Sequence, residues 1–144
     1  LFVGTTNRGW GARGGLPFSF ERTRWTGKVP FEIHEMRIKP EGFELTFTKE
    51  VEPKTAGDKA SYAMKTWTYI YQSSYGSPEV DHGVVTVESA VAAADGKSVT
   101  LKLGGAGAMR IGGYVTEMHL DGVRSAEGEK LLHPEVYATL NVLP

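Results

Sequence analysis

The chain has 144 residues, 16 of them basic and 17 acidic, with 18 glycines and no cysteine. The balanced charge gives no indication of a nucleic-acid partner, and no apolar run approaches the length of a membrane span. The lack of cysteine excludes disulfides, thiol nucleophiles, iron–sulfur clusters and C-x-x-C-H haem attachment within these residues.

A glycine-rich stretch near the start, GWGARGG at Gly9 to Gly15, fits the spacing G-x-G-x-x-G of dinucleotide-binding loops. In those loops the glycines open a helix whose N-terminal amides hold the pyrophosphate. Here Pro17 follows, and Phe18 and Phe20 are spaced two apart, as in a strand. We therefore predict a turn that binds no nucleotide, within a turn-rich lead segment of residues 1–30.

From Phe31 onward the apolar residues alternate with polar ones, as they do in β-strands. Phe43, Leu45 and Phe47 are an example, and their alternation predicts one buried face. Strands are predicted at residues 43–48, 62–72, 85–93, 98–103, 114–120 and 136–143. A turn at Asp95-Gly96 predicts that the strands at 85–93 and 98–103 form a hairpin. A helix of one or two turns is expected between residues 53 and 62.

About seven short strands with glycine-containing turns predict an all-β domain over residues 31–144, an immunoglobulin-like or fibronectin-like sandwich. The alternation also predicts a set of buried residues: Phe43, Leu45, Phe47, Val99, Leu101 and Leu140. Because the chain starts within an apparent strand, we expect it to be a piece of a longer protein.

Four segments carry a family resemblance: TNRGWGARGG, RTRWTGKVPFEIHEMRIKPEGFELTFT, TYIYQSSYGSPEVD and DGVRSAEGEKLLHPEVYATLN. They resemble the C-terminal region of large secreted proteins of planctomycetes and related bacteria, which carry a sugar-dehydrogenase-like β-propeller and often a c-type haem domain. The resemblance implies that residues 1 to about 26 form the end of the propeller or the linker that follows it, and that an immunoglobulin-like module comes next. It also implies that the protein is extracytoplasmic. It assigns no catalytic residue to this chain, which also lacks the haem-binding cysteines.

An aromatic row gives the most specific functional signal. Trp67, Tyr69 and Tyr71 lie at alternate positions of a predicted strand, so their rings would emerge on one face about 6–7 Å apart, a spacing that suits stacking on sugar rings. The candidate ligand-binding residues are Trp67, Tyr69, Tyr71, Tyr75, Glu79 and Asp81. Packing is the alternative: the row would then lie on the inner face of the sheet or beneath the lead segment, and solvent exposure of Trp67 distinguishes the two.

Other chemistry has weaker support. The four histidines, His34, His82, His119 and His133, lack zinc-binding spacing, so no metal or cofactor is expected. Glu79, Asp81 and His82 could hold calcium or supply paired carboxylates, although a solvated loop explains them as well. A set of Ser73 or Ser74 with His82 and Asp81 would lack a nucleophile elbow.

The sequence thus predicts a non-catalytic accessory module of a secreted sugar-oxidising or polysaccharide-processing bacterial protein. Its expected partners are a polysaccharide or oligosaccharide and a neighbouring domain of the parent protein. The alternative is a purely structural module that docks on the neighbouring β-propeller, and an enzyme is disfavoured because no catalytic constellation is present.

Overall fold

The computed structural model describes residues 1–6, 16, 18–105 and 109–144, and within these the fold is all-β, which confirms the predicted class. The first two strands, β1 Phe2–Thr6 and β2 Phe18–Arg22, form a separate antiparallel hairpin. The remaining strands are β3 Ile33–Lys39, β4 Gly42–Phe47, β5 Ala63–Tyr69, β6 Glu79–Ala92, β7 Ser98–Gly104, β8 Tyr114–His119 and β9 Glu135–Leu140. A short helix, α1 Pro53–Ala56, and a 3-10 turn, Lys59–Ser61, lie between β4 and β5.

The long strand β6 divides the sandwich into two layers. Its first part pairs with β5 as far as Val85, and its second part pairs with β7 from Thr86 onward. Strands β3, β4, β7 and the end of β6 make the first layer, whereas the start of β6, β5, β8 and β9 make the second. One strand that passes from one sheet to the other, with all neighbours antiparallel, gives the two sheets of an immunoglobulin-like sandwich.

A single hydrophobic core lies between the layers. Phe43, Leu45 and Leu101 of the first layer pack in one cluster with Met64 and Met118 of the second. All six residues predicted to be buried are in this cluster and are at most 4% exposed. The prediction succeeded because strands with one solvated face alternate strictly in polarity.

The β6–β7 hairpin and the short helix are also confirmed. Gly96 has a φ of +67° in the hairpin turn, a conformation that favours glycine. The helix is anchored to the core by Tyr62, whose hydroxyl donates to the Ala56 carbonyl oxygen at 2.6 Å, and burial raises the pKa of this phenol. None of the helices in the described ranges has the length and apolarity needed to cross a bilayer.

Three boundaries differ from the predictions. The lead segment, predicted to be turn-rich with strand-like spacing only at its start and at Phe18 and Phe20, contains a complete β-hairpin at these two places. Strand β5 ends at Tyr69 rather than at residue 72, and β6 begins at Glu79 rather than at residue 85. The loop Gly9 to Gly15 lies outside the described residues, and the element after it is a strand, β2, so its lack of nucleotide binding stays a prediction.

Candidate functional site

Trp67 lies on the outer face of the second layer. In β5, Met64 and Thr66 point inward, and the regular β5–β8 pairing continues to Trp67, so its side chain points the other way. Its ring is covered by Lys65, whose Nζ is 5.4 Å from the ring centroid, and by the stacked ring of His82 at 6.3 Å. Only 5% of Trp67 is exposed, although it does not belong to the core cluster.

This burial corrects the predicted aromatic row. A ring covered on its faces by a lysine and a histidine cannot stack on a sugar in this conformation, so Trp67 is a packing residue. Its Nε1–H has no hydrogen-bond partner in the described part of the chain, which is unusual for a buried indole. Sequence spacing could not reveal that the Trp67 ring is covered, because the covering side chain, His82, belongs to the neighbouring strand.

Tyr69, Tyr71 and Tyr75 are exposed, and the last two project fully into solvent. Tyr69 ends β5, and the other two lie in the loop of residues 70–78 that connects β5 to β6. The Ile70 N–H donates to the Pro78 carbonyl oxygen at 3.1 Å and the Gln72 amide donates to the Gly76 carbonyl oxygen at 2.8 Å. The three tyrosines therefore remain candidate ligand-binding residues, at the end of a strand and on the loop that follows it rather than along one strand face.

Asp81 occupies a bulge in β6, whereas Glu79 is exposed at the start of that strand. The β5–β6 pairing shifts between Gly83 and Val80, so that two residues of β6 lie opposite Trp67 alone. Asp81 has a φ of +57°, the one positive value among the described residues other than glycine. Asp, Asn and Gly tolerate this conformation best, which explains a short polar residue at this position.

The Asp81 carboxylate is held by two residues from the β7–β8 connection and β8. It accepts hydrogen bonds from the Tyr114 hydroxyl and from the Arg110 guanidinium, which also donates to the Asp81 backbone oxygen at 2.9 Å. The guanidinium carbon of Arg110 in turn lies 3.9 Å from the centroid of the Tyr114 ring. The hydrogen bonds from Tyr114 and Arg110 hold the pKa of Asp81 below its usual range. These contacts engage Asp81 in fixing the bulge.

The arrangement does not assemble the catalytic and metal sites that the sequence left open. His82 stacks on Trp67, and neither of its ring nitrogens is hydrogen-bonded to Ser73, Ser74 or Asp81. In the described ranges no group of three or more His, Cys, Asp or Glu side chains could hold a metal ion, so the calcium alternative at Glu79, Asp81 and His82 gains no support.

A second polar cluster on the same outer face was missed by the sequence analysis. Glu117, 7% exposed, contacts Lys65 at 3.1 Å and His119 at 2.5 Å. Desolvation would raise the pKa of Glu117, but the hydrogen bonds from His119 and Lys65 outweigh it and lower this pKa. Alternation in YVTEMHL places Glu117 and His119 on one face, but only the strand register shows that Lys65 lies beside them.

The β1–β2 hairpin presents an apolar face, which we call the hairpin face and define by Phe2, Phe18 and Phe20. Cross-strand pairing puts these rings on one side, and Phe2 stacks on Phe20 with centroids 5.6 Å apart. All three are between 62% and 78% exposed, and nearby Trp25 is exposed as well. The sandwich therefore leaves this face uncovered.

Comparisons with known proteins give a likeness of fold alone. No family model and no curated protein matches the chain. The solved structures that it resembles include domains 1–6 of the surface layer protein SbsC (TM-score 0.56, 17% identity) and the N-terminal part of that bacterial S-layer protein (TM-score 0.56, 16% identity). Each match covers 78% of this chain but only 14% and 24%, respectively, of those chains, so the shared sandwich is a small part of a much longer protein there.

Proposed function

We propose that this chain is a non-catalytic structural module of an extracytoplasmic bacterial protein, and that it docks on a neighbouring domain of its parent through the hairpin face. The observation that carries the proposal is the exposure of Phe2, Phe18 and Phe20 on one side of a two-stranded sheet. An isolated two-stranded hairpin is marginally stable in water, and a clustered apolar patch marks a contact surface.

We infer the docking partner from the resemblance of the sequence. It attributes the residues before about 26 to the end of a β-propeller, so the hairpin face would pack on that propeller and the sandwich would follow it. The fold shared with parts of a multidomain bacterial surface-layer protein supports a modular role and a location outside the cytoplasm. Likeness of fold does not supply chemistry, and the best-placed acid, Asp81, is engaged by Arg110 and Tyr114.

The first prediction concerns this docking. The neighbouring propeller domain, expressed separately, should bind this chain in a calorimetric titration. Phe2→Ser combined with Phe20→Ser should weaken the affinity at least about ten-fold, because it removes two of the three rings that define the face.

The control replaces two exposed apolar residues outside the hairpin, Leu132→Ser and Val142→Ser, and should leave the affinity unchanged. Docking through this face would be contradicted if the variant with Phe2→Ser and Phe20→Ser bound the propeller as tightly as the unmodified chain. It would also be contradicted if the unmodified chain showed no binding at about 100 µM.

Carbohydrate binding is the second candidate function, and the exposure of Tyr69, Tyr71 and Tyr75 favours it. The tyrosine loop, defined as residues 69–78, contains no charged side chain, and two serines separate its last two rings. Tyrosine combines a large apolar face with a hydroxyl, so such a loop suits a neutral polysaccharide.

The second prediction separates this function from packing. If the loop binds glycan, Tyr71→Ala with Tyr75→Ala should abolish retention on the insoluble polysaccharide that retains the unmodified chain, with the melting temperature unchanged. Tyr137→Ala, at an exposed tyrosine of β9, is the matched control and should be retained. Trp67→Ala should instead lower the free energy of unfolding by about 3–5 kcal/mol, because its ring is buried. Full retention of the double variant, or no retention of the unmodified chain on any polysaccharide, would refute the loop as a glycan site.

A further inference from the structure

A groove opens on the second layer where β5 and β6 separate. The last paired residues at this end are Met64 and Val85, and the 3-10 turn at Lys59 to Ser61 lies beside the gap. The groove has a volume of about 700 Å³ and is bordered by this turn, by both strands and by His119 of β8. We call it the lysine-rimmed groove.

The floor of the groove is apolar and open to solvent. Ala60, Ala63 and Val84 line it, and Val84 is 90% exposed. Val84 pairs across the strands with Lys65, so the two side chains lie next to each other on the outer face. An exposed valine flanked by alanines supplies an apolar contact surface that nothing in the described part of the chain covers.

Two lysines and a histidine lie at the rim of the groove. Lys65 and His119 also bind the two carboxylate oxygens of Glu117, which is itself buried, so the charge of Lys65 is balanced there. Lys59 is exposed at the other side and has no ion pair among the described residues. The nearby Asp58 carboxylate accepts a hydrogen bond from the Ala60 N–H at 2.9 Å, which engages one of its oxygens in capping the turn.

The dimensions and lining suit a small ligand better than a protein surface. Small-molecule sites have volumes of about 300–1,000 Å³, whereas protein interfaces extend over broader areas with aromatic and arginine anchors. Tyr62 also lines the groove, but its side chain is buried and its hydroxyl donates a hydrogen bond to the Ala56 carbonyl oxygen, so it offers no aromatic anchor to a partner. The surface that remains offers aliphatic contact and ammonium groups.

We propose that the lysine-rimmed groove binds a small carboxylate with an aliphatic body. The body would lie on Ala60, Ala63 and Val84, and the carboxylate would pair with Lys59, which has no ion pair among the described residues. Charge complementarity selects the anionic head group, and the apolar floor selects the body. This site is independent of the hairpin face and of the tyrosine loop.

Decanoate is a suitable probe, and the test is an NMR titration that follows the methyl resonances of Ala60, Ala63 and Val84. We expect saturable shifts confined to these residues and their neighbours, with a dissociation constant in about the millimolar range. Decylamine, which has an alkyl chain of the same length with an ammonium in place of the carboxylate, should bind at least about five-fold more weakly.

Variants test the two halves of the site separately. Lys59→Gln should weaken decanoate binding, and it should not perturb the fold because Lys59 has no ion pair in the described ranges. Val84→Glu, at an exposed position, should abolish binding by repulsion. Lys102→Gln, on the outer face of the first layer, is the matched control and should bind as the unmodified chain does.

The proposal would be overturned if no saturable shift occurred up to about 10 mM decanoate, a limit set by the weak affinities of open grooves. Equal affinity for decanoate and decylamine, or unchanged binding by Lys59→Gln and Val84→Glu, would also overturn it. Tighter binding of an acetylated Glu-Ala-Glu-Ala peptide than of decanoate would show that the groove is a peptide site instead.

Discussion

Asp81 combines a left-handed backbone with a carboxylate that two distant residues hold. The backbone at φ +57° costs free energy for most side chains, and the bulge that needs it places His82 over Trp67. Arg110 and Tyr114 bind the carboxylate and so tie the β7–β8 connection to β6. The contacts of Asp81 therefore support a structural role. A ligand at this carboxylate would have to displace Arg110 or Tyr114.

The third prediction concerns the charge of Asp81. Asp81→Asn keeps a residue that tolerates the left-handed backbone but removes the anion, so the variant should melt at a lower temperature at pH 7. The pKa of Asp81 is lowered in the folded state, so its stabilising contribution is present above the unfolded pKa and is lost as pH falls through the folded pKa. The difference in melting temperature should thus stay constant from pH 7 to about pH 5 and shrink below about pH 4.

Asp81→Gly provides the control for backbone strain, since glycine adopts this conformation freely while also lacking the charge. A melting difference between the unmodified chain and Asp81→Asn that did not change between pH 7 and pH 3 would show that Arg110 and Tyr114 do not act on the ionised carboxylate.

At the scale of elements, the approach of β4 to β7 depends on one glycine. A Cβ built on Gly42 would lie 2.0 Å from the backbone oxygen of Leu101, far closer than atoms can approach. Backbone cannot move aside as a flexible side chain can, so any other residue must push the strands apart at the start of their pairing. The β3–β4 turn is thereby kept close to β7.

The fourth prediction follows from this contact. Gly42→Ala should destabilise the fold by at least about 1–3 kcal/mol in denaturant melts, the usual cost of overpacking. Gly4→Ala is the matched control, because nothing lies within 4 Å of a Cβ at that hairpin position, and it should leave the denaturation midpoint unchanged. Equal midpoints for the two variants would mean that β4 and β7 are free to separate.

At the scale of the whole molecule, the two outer faces of the sandwich differ in character. The first layer presents charged residues in exposed ion pairs, such as Arg37 with Glu35 and Lys39 with Glu44. The second layer presents an exposed valine, the covered Trp67 and a buried carboxylate instead. The hairpin face, the tyrosine loop and the lysine-rimmed groove are therefore separate surfaces, and the tests above can distinguish them.

The sequence by itself determined the all-β class, the hairpin at Asp95-Gly96 and the buried face of Phe43, Leu45 and Phe47. These depend on local rules, since side chains alternate along a strand and glycine marks turns with positive φ. It did not show that Tyr71 lies in an exposed loop, because the predicted strand ran to residue 72 whereas β5 ends at Tyr69.

Only the tertiary structure decided which face of β5 is the inner one. Alternation shows that Met64 and Trp67 lie on opposite sides, but it cannot show which side meets the core or that His82 covers the ring. Nor can it place Arg110 beside Asp81, 29 residues away, or Lys65 beside Glu117. Strand register and the bulge in β6 determine these contacts, because they bring together residues that no local pattern connects.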